Sequence, residues 1–156
     1  MAGLGDAASE LESIARRLRR IGDVELAREL NAAMRDGVRP VPDLIRGELE
    51  PRWKRGGYGK TLDGDVDIRI SVRTSGTDPG VSVYAKPRVK ARKLRSLDAG
   101  VLHHPLFGDR EHWYRQVVRP GWFTGPCQDA APRVRGELER ALEDIEAKAV
   151  GKGGGY

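Results

Sequence analysis

The sequence holds one cysteine, Cys127, two phenylalanines and only 6% aromatic residues. A lone thiol cannot close an internal disulfide, which fits assembly in a reducing cytoplasm. No apolar run of about 18 residues occurs, so neither a membrane span nor a membrane partner is expected. The opening MAGLGDAASE has no basic stretch followed by an apolar one, so a secretory signal is not expected. Standard nucleotide motifs are missing too. Trp53 to Lys60 is Gly-rich, basic and aromatic, but it fits neither a P-loop nor a dinucleotide fingerprint and reads as a mobile loop. The three histidines, His103, His104 and His112, can be drawn with Asp109 and Cys127 as a zinc site. Their spacing matches no standard zinc pattern, and neighbouring side chains on an extended segment point opposite ways. They read as histidines hydrogen-bonded in a turn, with no metal and no cofactor. Cys127 at an apolar helix start reads as a structural thiol rather than the partner of His112 in a nucleophilic pair. No catalytic constellation emerges, so no enzyme is expected.

What is present is charge. The net charge is +5 over 156 residues, with arginine outnumbering lysine about three to one. The length suits one domain with a real core. A basic balance points to nucleic acid, an acidic partner or simple solubility, depending on where the charge sits. Ser9-Glu10-Leu11-Glu12 forms a capping box, and Leu11, Ile14, Leu18 and Ile21 follow at helical spacing. After Gly22-Asp23 the stripe continues through Leu26, Leu30 and Met34, with Gly37 as a stop. Residues 9 to 36 therefore form one kinked helix or two short ones, whose arginines are interleaved with Glu10, Glu12, Glu25 and Glu29 as a solvated face. Val38 to Pro42 is a stiff connector. Asp43 is placed to cap a short helix with Leu44, Ile45 and Leu49 on its apolar face, ended by Pro51.

Val66, Ile68, Ile70 and Val72 alternate with polar residues, the pattern of a strand with one dry face. Thr74 to Gly80 reads as a hairpin loop, and Val81, Val83 and Ala85 as the dry face of the returning strand. In the next ten residues, Lys86, Arg88, Lys90, Arg92, Lys93 and Arg95 are cationic and none is acidic. So many like charges predict an extended, mobile arm that orders only against a neighbouring subunit, with Val89, Leu94 and Leu97 as its apolar contacts. The same segment is the candidate phosphate contact of a DNA-binding protein. From Pro126 a helix is expected through Ala149, with Val134, Leu138, Ala141, Leu142 and Ile145 on one face and Pro132 in or near its first turn.

The densest stretch is Val101 to Phe123, VLHHPLFGDREHWYRQVVRPGWF. His104-Pro105 must be extended or turning. Phe107-Gly108-Asp109 reads as a turn, His112 to Val118 as a strand, and Pro120-Gly121 as the turn before Trp122-Phe123 and the helix. At strand spacing Trp113 reads as a core residue. Together with Tyr114, Trp122 and Phe123 it is alternatively a base-stacking surface. HPLFG, then Trp113 five residues beyond Gly108, then Val-x-Pro-Gly-Trp-Phe resembles the neck, or tail-component, family of long-tailed double-stranded DNA phages. Gly56-Gly57 before the first strand, Leu97-Asp98-Ala99-Gly100 before the HP pair and Asp129-Ala130-Ala131-Pro132 fit the same frame. The resemblance covers roughly residues 40 to 148. It departs at Pro51, where Trp53-Lys54-Arg55 separate the proline from the Gly-Gly pair, and it leaves the first 40 residues unaligned.

The fold expected is α+β. An antiparallel sheet of three or four strands (65–118) is packed by the C-terminal helix (126–149), with N-terminal helices (9–50) beside it. Residues 1–150 form one domain, followed by a disordered tail, 151–156. The resemblance implies a structural, non-catalytic subunit of the phage neck. It would be a tail-terminator or tail-completion ring, a homohexamer, held between the capsid portal complex and the tail-tube protein. It would be assembled in the host cytoplasm and carried in the virion, with DNA passing through without sequence-specific binding.

Overall fold

Leu26, Leu30 and Met34 recur at the three-to-four-residue spacing that puts side chains on one helical face. They lie on helix α1, Val24–Val38, and all three are buried. The computed structural model describes residues 24–74, 80–90, 92–106 and 108–153, together with Ser13 and Arg16. The capping box at Ser9, the break at Gly22-Asp23 and most of the hairpin loop lie outside the described residues. Next come α2 (Val41–Gly47), α3 (Leu49–Arg52), a 3₁₀ turn (Arg55–Gly57) and α4 (Tyr58–Asp65). Strands β1 (Val66–Arg73) and β2 (Gly80–Pro87) lead to α5 (Leu94–Asp98), β3 (Val101–Leu106), β4 (Asp109–Val117) and the long helix α6 (Thr124–Gly153). The class is α+β.

Among the described residues there are four strands, but they pair as two antiparallel hairpins, β1 with β2 and β3 with β4. The Trp113 strand does not join β1 and β2 as expected. Its partner is Val101–Leu106, in the register Val101 with Val117, His103 with Arg115 and Pro105 with Trp113. His-His-Pro carries no dry-face alternation, and proline removes a ladder donor, so β3 does not read as a strand. The pairing shifts register between Pro105 and Leu106.

The chain divides into two compact units. In one, residues 70–82 and 131 onward join the α1 segment. Its core sets Leu26, Leu30 and Met34 against Leu142 and Ile145 of α6, with Val72, Val81, Leu138 and Ala149 packed beside them. Each such side chain, fully buried, contributes about 1.5–3 kcal/mol. Gly37 is buried inside α1 and does not stop it. A Cβ there would sit 3.1 Å from that of Glu137, so the glycine lets α6 come close. Lys148 pairs with Glu29, and Lys152 with Glu25 at 4.0 Å.

The other unit comprises Pro40–Arg69 and Val83–Ala130. Trp53, Ile45, Leu49, Leu62 and Val66 are fully buried in it. Leu44, expected on the apolar face, is 51% exposed, because the helix starts at Val41 after Pro40 and its inward face is Val41 and Ile45. Asp43 does not cap it. Pro51 does not end a helix either; it sits in the first turn of α3, where no backbone donor is required. The Gly-rich segment read as a mobile loop is the 3₁₀ turn and α4. Gly59 is needed there because a Cβ would fall 2.5 Å from Glu50 Cα on the adjoining helix. Helix α6 begins two residues before Pro126. Its first amides, those of Phe123 and Thr124, donate to Asp98 Oδ1 at 2.9 and 3.1 Å, so α5 supplies the cap. Pro132 consequently lies inside the helix rather than in its first turn. The helix also continues past 149 to Gly153, into the expected tail, while 154–156 lie outside the described residues.

Candidate functional site

The basic segment begins where β2 ends. Lys86 Nζ lies 5.5 Å from the centre of the Tyr84 ring. The Arg88 amide donates to the Asp65 carbonyl at 2.7 Å, and its guanidinium reaches Asp67 at 3.9 Å. Arg92 donates to the Asp65 carboxylate from Nε at 3.1 Å and Nη2 at 2.5 Å, and its own amide closes a turn onto the Val89 carbonyl. The extended arm expected from charge density is therefore corrected. Two acidic residues at the α4–β1 junction neutralise part of the segment and fold it back. Asp67 is held below its ordinary carboxylate range, chiefly by the hydrogen bond from Arg69, with Arg69, Arg88 and Arg46 adding favourable charge. Val89 remains 44% exposed, whereas Leu97 on α5 is buried within the chain itself and pins the end of the segment, so it is not free to contact a neighbouring subunit as expected. Lys90, Lys93 and Arg95 are exposed and make no ion pair among the described residues.

The β3–β4 hairpin carries the aromatic stretch. Strand alternation sends Leu102 and Gln116 inward, and both are buried. His104, two residues on, stacks on Tyr58 of α4 with ring centres 4.2 Å apart, and on Tyr114 across the pair at 5.6 Å. Trp113 lies on the opposite face and is 64% exposed. It is not a core residue. A two-stranded sheet has one covered face here, and Trp113 falls on the other. Its indole Nε1 donates to the Arg110 carbonyl at 2.8 Å. Near the tip, His112 pairs with Asp109 at 2.6 Å. Asp109 is held below its ordinary range, first by the Glu111 amide and then by the His112 ring. Gly108 has φ 82°, as a turn requires; Phe107 lies outside the described residues.

The Val-x-Pro-Gly-Trp-Phe motif locks the base of the hairpin. Trp122 is buried and meets Phe123 edge-on at 5.7 Å. The Gly121 amide donates to the Asp98 carbonyl at 2.7 Å, and Arg52 donates to the carbonyls of Arg119 and Pro120, both at 2.7 Å. Gly100 has φ 83°, and a Cβ there would lie 2.2 Å from the Val118 carbonyl oxygen. Burial, with Asp98 nearby, pushes the half-buried Cys127 thiol up from its ordinary value. Among the described residues no group of three metal-ligating side chains gathers. His103, His104 and His112 point to separate surroundings. Nothing in the sequence marks Asp65 as the partner of Arg92, Asp98 as the cap of α6 or Tyr58 as the ring under His104, since each acts on residues more than 20 positions away. Against protein-family models, curated proteins and solved structures, the chain finds no match.

Proposed function

We propose that the chain is a structural subunit of the head–tail connector of a long-tailed double-stranded DNA phage. In this reading it is a tail-terminator or tail-completion ring, a homohexamer, joining the portal complex to the tail tube. The motif resemblance from residues 97 to 123 suggests the setting. The observation that carries the assembly role is the uncovered hairpin. All of β4 except Gln116 is exposed, and Val117, on the face opposite Leu102 and His104, is 60% exposed. A lone two-stranded sheet is marginal in water, and apolar exposure on its open face suits contact with another protein. Val117, facing Val101 at the base of the hairpin, is the residue a neighbouring copy covers. The alternative, a small DNA-binding protein using residues 86–95, has less support, because Arg88 and Arg92 are engaged by Asp65 and Asp67.

Analytical ultracentrifugation and electron microscopy of purified protein test this. Rings of six are expected. Val117→Asp is expected to leave a monomer with an unchanged melting temperature. A wild-type chain that stays monomeric at high concentration, alone and with tail-tube protein, would rule the role out.

A further inference from the structure

A cleft of about 430 Å³ lies along β3. Five consecutive residues, 101 to 105, line it. Neighbouring strand residues point to opposite faces, so a cleft touched by all five runs along the edge of the strand. That edge has no strand partner among the described residues. Lys93 and Ser96 lie at the α5 side, Tyr58 and His104 contribute rings, and Trp113 closes the hairpin side. No acidic side chain lines the cleft.

Trp113 decides what chemistry fits. Trp53 and Trp122 are 0% and 1% exposed, whereas Trp113 is 64% exposed. It is nevertheless held in place by its bond to the Arg110 carbonyl. A large flat ring, wet but fixed, loses little freedom when another flat ring stacks on it. The cations around it remain available. Lys93 is exposed and makes no ion pair among the described residues, and Arg92 beside it is already held by Asp65. His103 and Arg115 face each other across the hairpin, on the same face as Trp113, and both are exposed. An added peptide strand suits this edge poorly, because Pro105 offers no donor and the register breaks immediately after it. An aromatic platform with positive charge beside it, at a cleft whose lining holds no acidic side chain, suits a base carrying a phosphate. Duplex DNA buries the faces of its bases in its own stack, so only an unpaired base can lie on the indole.

We infer that this cleft binds a nucleotide of single-stranded nucleic acid, with its base on Trp113 and its phosphate at Lys93. The inference goes beyond the connector role and does not depend on it.

The test is fluorescence anisotropy with a labelled oligothymidylate of about 12 nucleotides, read from about 50 to about 200 mM salt. Binding is expected to weaken with salt. Trp113→Ala should weaken it by about tenfold or more, the worth of one stacked base. Lys93→Ser should lower the log–log salt slope by about 0.7, one single-strand phosphate contact. Arg133→Ser, an equal charge change on the exposed side of α6, should leave both unchanged. Because Trp113 is exposed, its variant keeps the wild-type melting temperature. Intrinsic tryptophan emission offers a second reading, since only Trp113 can be quenched by the strand. Wild-type affinity in Trp113→Ala overturns the proposal, as does a duplex that binds as tightly as the single strand. Thymidine monophosphate quenching at the same concentration as the oligonucleotide overturns the assignment to a strand.

Discussion

Replacing Asp65 with asparagine removes one negative charge and almost no volume. The Asp65 carboxylate and the Arg92 guanidinium are 17% and 19% exposed, so the pair is shielded from most solvent screening. A hydrogen bond to a charged group contributes about 1.5–3 kcal/mol, and the residual exposure argues for the middle of that range, about 2 kcal/mol. In a chain of this length each kcal/mol moves the melting temperature by about 2–4 °C, so Asp65→Asn should melt about 4–8 °C lower. The Arg88 amide bonds to the Asp65 backbone carbonyl, which the substitution spares, while the Arg92 amide closes the turn that the ion pair holds. Hydrogen exchange should therefore quicken more at Arg92 than at Arg88, by up to roughly thirtyfold for 2 kcal/mol. Thermal melts and exchange mass spectrometry on the same preparation read both effects. An unchanged melting temperature with unchanged exchange at Arg92 would refute the idea that Asp65 folds the basic segment back.

Other expectations follow from burial and charge. Ile145→Asp, which places a carboxylate in the α1–α6 core, should unfold its unit or leave it molten, whereas Glu139→Ala, exposed on the same helix, should melt as wild type. Trp122→Ala should cost about 3–5 kcal/mol in urea titration, while Trp113→Ala should be silent in the same assay. The Asp109 carboxyl is depressed in the folded chain, so its contribution is present above the unfolded carboxylate pKa of 3.8 and is lost as pH falls through the folded value. An NMR titration should place the Asp109 midpoint below 3.8, and Asp109→Asn should remove the acid-induced change at the hairpin tip.

The sequence showed those parts of the fold where one face repeats. The stripes of α1 and α6 and the alternation from Val66 to Val72 gave the elements and most of their buried residues. Where a residue's role is fixed by a distant partner, pattern carried no signal. Trp53 to Lys60 reads as loop because three glycines and basic residues fill it, yet Gly59 is what lets the helix that begins at Tyr58 lie against Glu50. The start of α6 was misplaced because its cap, Asp98, belongs to another element. Trp113 looked like core because aromatic residues on strands usually are. Its exposure depends on which face of the hairpin is covered, and that is set by Leu102 of β3 and Tyr58 of α4 rather than by the residues around Trp113. The basic segment was legible as charge but not as shape, because Asp65 lies 27 residues away from Arg92.

Arg52 carries a consequence for the order in which the chain folds. Its guanidinium binds carbonyls 67 and 68 residues downstream, at Arg119 and Pro120. During synthesis α2, α3 and α4 leave the ribosome long before those carbonyls exist. Everything between Trp53 and Val118 must be gathered into one closed loop before the contact forms, and loop closure is charged against the chain before any of the reward arrives. The second unit therefore cannot close this contact until the turn at Pro120-Gly121 has emerged, and a chain truncated before that turn leaves the Arg52 charge with Glu48 alone.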